Sequence, residues 1–457
     1  MFLVCSNQEL TIVLSTATIL VIRICAPMKH THEFRDPIHN FVSVRTDERK
    51  VIDSRPFQRL RHIHQLALTY LLYPGATHKR FEHSLGVMHL ATEIFDVVTN
   101  PDNLGDSSVR NIIPDSVALS YWRTVVRLAA LCHDLGHLPF SHAAEDALLP
   151  DGYKHDNLSR DIILSPEMQE IWAAMKPRVA AEDIVKVAVG PKYSELQFDI
   201  WETILAEIIV GDAFGADRMD YLLRDSYHAG VTYGTFDRHR LIATLRILPK
   251  KYEDSDEPAL GLEEGGLESS EGLMIARHFM YKQVYFHHIR RAYDLHLKDF
   301  LVEWLPGGKF STKLDDHLKM CDVEVQAAIR AAYEDNHSPY HGLARRIQCR
   351  EHFRRFYEPA PSDTEGGKLK PGSIIAQAAE AKFGKELIRY DYILPKPTAP
   401  IFPVLSFDGR IDSSLQRSQV LAAMPLIGVD RVYCDKSIEA QAIKWREENK
   451  NSLLGLQ

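Results

Sequence analysis

A chain of 457 residues that is 45% hydrophobic, 25% charged and 9% aromatic has the composition of an ordinary globular protein of one to three domains. Its formal net charge of -8 argues against broad electrostatic binding to nucleic acid, which needs clustered Lys and Arg, and leaves room for a local basic pocket around a small anion. Cys5, Cys25, Cys132, Cys321, Cys349 and Cys434 form no CxxC pair and read as reduced thiols of a cytoplasmic protein.

Along the chain, residues 10–22 are apolar but interrupted by Ser and Thr, and shorter than the about 20 residues of a membrane helix. No basic residue precedes Arg23, as a secretory signal would require. Residues 1–32 therefore read as an N-terminal extension, either a start placed upstream of Met28 or a disordered tail, with no stable membrane association.

Helical spacing then dominates. Residues 56–65 put Phe57, Leu60, Ile63 and His64 at helical intervals behind Asp53-Ser54 as N-cap residues. Residues 84–98 predict an amphipathic helix, and 124–135 another that Gly136 ends. Helices are also predicted over 167–175, 199–210, 217–228, 238–247 and 272–304, with breaks at 101–107, 253–270 and 306–308. Residues 358–372, rich in Pro, Gly and charge, predict a long loop. Beyond it come a helix over 374–383 capped by Ser373, strands over 388–394 and 402–411, the second turning at Asp408-Gly409, and a short strand over 431–434 before a final helix. The expected fold is mainly α: a helical catalytic core over 33–305, then a smaller α+β lobe over 306–457.

Chemistry-bearing residues concentrate in two stretches. His78, His83, His89, His133, Asp134, His137 and His142 fall in one window, and imidazole with carboxylate suits a divalent metal such as Fe, Mn, Zn, Ni or Co. An ionised Asp at the end of an apolar helix is costly unless it is paired or ligated. Spacing leaves two ligand pairs open. His133 and His137 stand at i and i+4, the HxxxH geometry, while His133 and Asp134 are adjacent. Gly136 weakens the first option, because a helix bends or stops there. In the second stretch Asp217, Asp220 and Asp225 lie close together with Tyr221 and His228, which spacing alone also allows to be a solvated acidic face. His78, Lys79 and Arg80 form a basic cluster suited to phosphate, or an ordinary surface loop.

Taken in order, FRDPIHNFVSV, VIDSRPFQRLRHIHQL, YPGATHKRFEHSLGVMHLA, LAALCHDLGHLPFSH, GADRMDYLLRDSYHAG and RVYC resemble the HD-domain phosphohydrolases, specifically the deoxynucleoside triphosphate triphosphohydrolases. These stretches span nearly the whole chain and include the core shared by animal SAM-and-HD-domain dNTPases and bacterial dGTPase-like relatives. The resemblance implies one metal held by His83, His133, Asp134 and Asp217, with Mg accompanying the nucleotide phosphates. It implies that activated water attacks the α-phosphorus of a dNTP, dGTP included, and that triphosphate leaves whole. His142 would protonate the leaving 5′ oxygen, with His137, Glu145 and His155 beside it. Arg80 and Lys282 would contact phosphate, Gln65 and Leu66 the sugar, and Tyr221 and Asp225 would surround the ribose, with the Tyr221 ring disfavouring a 2′-hydroxyl. Asp53, Gln58 and Arg61, with Arg350 from a neighbouring subunit, match positions that bind an activating GTP or dNTP, which implies a homo-oligomer, a dimer or tetramer. His32-Glu33 departs from the family's Lys-Val there, and an acidic Glu33 sits badly beside phosphates. Other HD chemistry on a different nucleotide, or a catalytically silent nucleotide sensor, are the competing expectations.

Overall fold

The computed structural model describes residues 3–6, 9–15, 18–23, 31–105, 107–140, 145–253, 257–364, 370–397 and 399–455. The fold is mainly α, as expected, and is organised around the Arg80–Val98 helix. Phe81, Leu85, Val87, Met88, Leu90, Ala91, Ile94, Phe95 and Val98 are all buried, so the helix is enclosed on nearly every side instead of being amphipathic. It packs against the Ser116–Cys132, Ile200–Val210 and Ala216–Ala229 helices. Gly86 permits the approach of the Ala216–Ala229 helix, because a Cβ there would stand 1.9 Å from an Asp220 carboxylate oxygen.

The Ser116–Cys132 helix begins at Asp115, whose carboxylate accepts the Val117 and Ala118 N–H groups at 2.9 Å. It stops at Cys132, so the predicted helix over 124–135 ends early and the His133-Asp134 pair lies in a turn. Neither the i,i+4 geometry nor an adjacent pair on a continuous helix applies. The cause is the neighbouring His155–Ile163 helix. A Cβ at Gly136 would meet His155 O at 2.1 Å and Ser159 N at 2.3 Å. Ser159 Oγ donates to His133 O at 2.8 Å and accepts the Gly136 N–H at 2.9 Å, satisfying groups that a further helical turn would have used.

Strands occur where helical spacing hid them. Thr31–Asp36 and Asn40–Arg45 form an antiparallel hairpin with Val42 and Val44 buried on one face. Leu245–Pro249 is a strand, so the helix predicted over 238–247 ends at Ala243. It pairs with Pro258–Glu263, inside a stretch expected to be a break. Pro403–Leu405 joins that sheet in parallel and Ile411–Ser413 closes it, so the expected strand over 402–411 is a hairpin turning at Asp408-Gly409. This sheet links residues on both sides of the expected boundary at 305. A separate sheet of Arg354–Tyr357, Ile427–Cys434 and Ile388–Lys396 packs its Phe356, Val432 and Ile388 against the Pro371–Phe383 and Glu439–Leu454 helices. Leu3–Ser6, Glu9–Ser15 and Thr18–Arg23 pair as antiparallel strands, where a disordered tail was one expectation. Among the described residues no helix is long and apolar enough to cross a membrane.

The helix expected over 272–304 is broken into Leu267–Met280, a π-turn Tyr281–Tyr285 and His288–Trp304. In the last of these, His296 Nε2 accepts the Phe353 N–H at 2.9 Å and must stay neutral to do so. Burial, then the charges of Arg346 and Arg389, push its pKa down to about 3. The unfolded chain takes up this proton near pH 6.5 and the folded chain does not, so stability falls as pH drops from about 6.5 towards 4. Urea denaturation should show a smaller acid loss over that range in His296→Gln than in the parent, and an unchanged slope would contradict this assignment.

Candidate metal centre and substrate cavity

His83 on the Arg80–Val98 helix, His133 in the turn after Cys132 and Asp217 in the first turn of the Ala216–Ala229 helix each offer one ligand atom, and these atoms lie within 4.8 Å of one another. His83 Nε2 is 3.0 Å from Asp217 Oδ1, and His133 Nε2 is 3.7 Å from the same oxygen. Asp134 stands alongside, with Oδ1 3.3 Å from His133 Nε2 and Oδ2 3.6 Å from His83 Nε2. His133 Nδ1 donates to Ala130 O at 2.8 Å, which fixes the tautomer and leaves Nε2 as the acceptor. That Nε2 is buried with no hydrogen-bond partner. A buried lone pair aimed at two carboxylates and a second imidazole is what a borderline divalent metal requires.

Behind this group lies a carboxylate that orients His83. Asp220 is fully buried and Oδ2 accepts from His83 Nδ1 at 2.8 Å. Its oxygens also meet His39 Nε2 at 2.7 Å and Arg224 Nε and NH2 at 2.8 and 2.9 Å, while Arg224 NH1 reaches Asp36 at 2.7 Å. Burial opposes charge on Asp220, but Arg224 and the two imidazoles outweigh it and hold the carboxyl well below its ordinary range. Burial likewise opposes charge on His83, but hydrogen bonds to Asp217 and Asp220 push it up to about 10, a measure of the negative potential available to a cation. Asp220 and Asp225 are buried, so the second cluster is not a solvated acidic face.

His137 and His155 stack with ring centroids 3.8 Å apart, beside Asp134. Burial, then the charges of Arg80 and His155, keep His137 far below its ordinary value. His155 Nδ1 donates to Glu145 Oε1 at 2.8 Å. Burial lowers the His155 pKa, but this bond and the Asp156 charge raise it overall. His142 lies outside the described residues.

His133, Asp134, His137, His155 and Asp217 line a cavity of about 530 Å³. Gln65, Leu66, Arg80, Tyr221 and Asp225, all expected at the substrate, line it too. Arg80 is buried and ion-paired to Asp134, not part of a surface loop. Asp225 is held by His78 Nε2 at 2.7 Å and by the Tyr285 hydroxyl at 2.7 Å. Burial, reinforced by the neighbouring Tyr281, raises the Tyr221 pKa far above its ordinary value, so it presents a neutral phenol. Lys282 is excluded from this group. It is exposed on the outer side of the π-turn, whose Tyr281 and Tyr285 face the cavity instead. Arg290 and Arg291 add positive charge to the cavity lining, and Phe286 and Ile393 line it as well. Sequence spacing did not single out Phe286, Arg290 and Arg291, because the helix predicted over 272–304 is interrupted at Tyr281–Tyr285 and the facing it implies does not hold.

The expected regulatory residues lie elsewhere. Asp53 is exposed and pairs with Arg49 at 3.3 Å, and Ser54, not Asp53, caps the next helix. Arg61 donates to Gln58 Oε1 at 2.9 Å and lies over the Phe81 ring at 3.4 Å, and Gln58 donates to Ile52 O at 2.7 Å. His32 faces Arg49 at 3.3 Å, while Glu33 and Arg350 are exposed.

Comparison with known proteins matches residues 80–176 to the HD domain and 236–379 to the HD associated region. YwfO of Bacillus subtilis is 30% identical over 364 residues, covering 76% of each chain. The chain belongs to the HD-domain family. A hypothetical protein from Aquifex aeolicus of known crystal structure is similar in fold, with TM-score 0.74 and 33% identity over 91% of this chain and 99% of that one. The mouse deoxynucleoside triphosphate triphosphohydrolase SAMHD1 is 27% identical over 468 residues, covering 92% of this chain and 66% of the mouse protein. The chain spans from about half to three quarters of the length of the first curated relatives it matches, 54% and 76% for two of them. HD domains bind divalent metals, and the His83–His133–Asp217 group is one that could hold such an ion.

Proposed function

We propose that this HD protein hydrolyses deoxynucleoside triphosphates, dGTP among them, to deoxynucleoside and inorganic triphosphate. The observation that carries the reading is the partnerless, buried Nε2 of His133, which converges with His83 and Asp217 at the edge of a cavity that His133, Asp217, Arg80, Tyr221 and Asp225 line. The relatives named as triphosphohydrolases of dNTPs support the substrate class.

His83, His133, Asp134 and Asp217 would hold the metal, which when bound polarises a phosphate and lowers the pKa of water. Arg80, beside Asp134, offers guanidinium donors to phosphate oxygens as charge develops on them. Asp225, fixed by His78 and Tyr285, accepts a sugar hydroxyl, and the Tyr221 ring leaves no room for a 2′-hydroxyl. By the family resemblance His142 would donate the proton that the 5′ oxygen needs on leaving, and the bonded Glu145–His155 pair would orient it.

Incubation of metal-loaded protein with each dNTP and with GTP tests this. Triphosphate is expected from dNTPs, with GTP turned over at least about 10²-fold more slowly and that gap narrowed in Tyr221→Ala. Monophosphate, or no product from any dNTP even in mixtures containing GTP, would contradict it. Asp53, Gln58 and Arg61 with a partner's Arg350 form the proposed activator site of a homo-oligomer. Addition of GTP or dNTP should then raise the sedimentation coefficient of the parent and not of Arg61→Ala.

A further inference from the structure

Asp322 opens the Asp322–Glu334 helix, within the HD associated region and outside the HD domain proper. It is 1% exposed, and a buried carboxylate is costly unless its lone pairs are filled. Oδ1 accepts the Phe140 N–H at 2.7 Å. Oδ2 accepts the His64 N–H at 2.8 Å and lies 2.6 Å from His64 Nδ1. On the other side of the ring, Lys79 Nζ lies 2.6 Å from His64 Nε2. An ammonium group can only donate, so Nε2 accepts and Nδ1 carries the proton that Asp322 receives. The His64 ring is stacked on Tyr70 and Phe140, with centroids 5.1 and 6.4 Å away.

Three segments of the cavity wall meet at this Lys79–His64–Asp322 relay. His64 precedes Gln65 and Leu66, and Lys79 precedes Arg80. Backbone bonds from Gln65 N to His78 O and from Arg80 N to Ile63 O, both 3.0 Å, hold those two segments together. Phe140 ends the turn that carries His133, Asp134 and His137. Its φ of 56° is left-handed, a conformation that a bulky side chain disfavours and that a fixed N–H partner helps to hold. A second fastener runs parallel. Arg59, buried, donates to Met320 O and to His137 O, each at 2.9 Å. Asp322, His64 and Lys79 are not among the residues that line the cavity.

We infer that Asp322 is a positioning residue for the hydrolytic site. Acting through His64 and the Phe140 amide, it makes the HD associated region set the geometry of the His-Asp turn. The kinetic test rests on the hydrolase function proposed above. Asp322→Asn, His64→Leu and His64→Gln are compared in the metal-loaded full chain. Gln at 64 offers an oxygen to Lys79 and an amide to Asp322. A displacement of the order of 1 Å should lower kcat about 10- to 100-fold in Asp322→Asn and His64→Leu. KM should stay within about threefold. Metal content should not change, and His64→Gln should recover most of kcat. Parent-like kcat in both damaging variants, a loss that tracks metal content, or no recovery in His64→Gln overturns the inference. A second readout needs no turnover. Hydrogen exchange over residues 134–140 should be at least about tenfold faster in Asp322→Asn, and equal protection overturns the inference. If the parent releases no triphosphate from any dNTP, the proposed activity fails while the exchange measurement still decides the role of Asp322.

Discussion

Replacing His133 by Ala should strip the divalent metal from the purified protein and lower hydrolysis by on the order of 10³-fold or more. Nε2 of His133 is the one imidazole nitrogen at the centre with no other bond to make, and it points at Asp217 and Asp134. Its removal deletes a ligand and leaves two carboxylates facing each other, which raises the cost of keeping both charged. Metal analysis by inductively coupled plasma mass spectrometry, run beside the hydrolysis assay, reads both effects. Full metal occupancy with activity near the parent's would remove His133 from the centre.

Asp220→Ala should combine two losses. The carboxylate orients His83 from behind, and residues that orient ligating histidines typically contribute about 10- to 100-fold to metal affinity. It is also the main counter-charge of the buried Arg224, which keeps only Asp36 when Asp220 is gone. Breaking a buried pair of this kind costs about 3–5 kcal/mol. Asp212→Ala is the control, because the Asp212 side chain is 90% exposed and its loss should move stability by no more than about 0.5 kcal/mol. Chemical denaturation of the metal-free proteins separates the stability loss from the affinity loss. Equal stability for the two variants would show that Asp220 does not hold this network together.

The sequence made the type of chemistry visible and much of the helical frame, but not which side chains share a face where the backbone leaves the helix. The His133-Asp134 pair was conspicuous, yet its geometry depends on Gly136 pressing against the His155–Ile163 helix, a contact between segments that no local spacing encodes. By spacing alone Asp217, Asp220 and Asp225 look alike, and the family resemblance assigns Asp217 and Asp225 while leaving Asp220 without a role. The structure separates them by role: Asp217 faces the ligand group, Asp220 is buried behind it, and Asp225 is held in the cavity wall. A local hint existed for Asp220, because Arg224 stands at i+4 and can pair with it. The π-turn Tyr281–Tyr285 contains neither Gly nor Pro, so nothing announced that Lys282 would turn outward and the tyrosines inward. Ile393 reaches the cavity from a strand of the distant sheet, anchored there by the Arg291–Asp391 pair at 2.7 Å, and only tertiary structure brings it in.

The most direct test of metal-dependent triphosphate release is hydrolysis of a dNTP in ¹⁸O-labelled water, with products read by mass spectrometry for the parent and for Asp134→Ala. Attack at the α-phosphorus predicts label in the triphosphate, none in the deoxynucleoside, and no turnover by the variant. Deoxynucleoside monophosphate with pyrophosphate, deoxynucleoside diphosphate with phosphate, or undiminished activity in Asp134→Ala would contradict it.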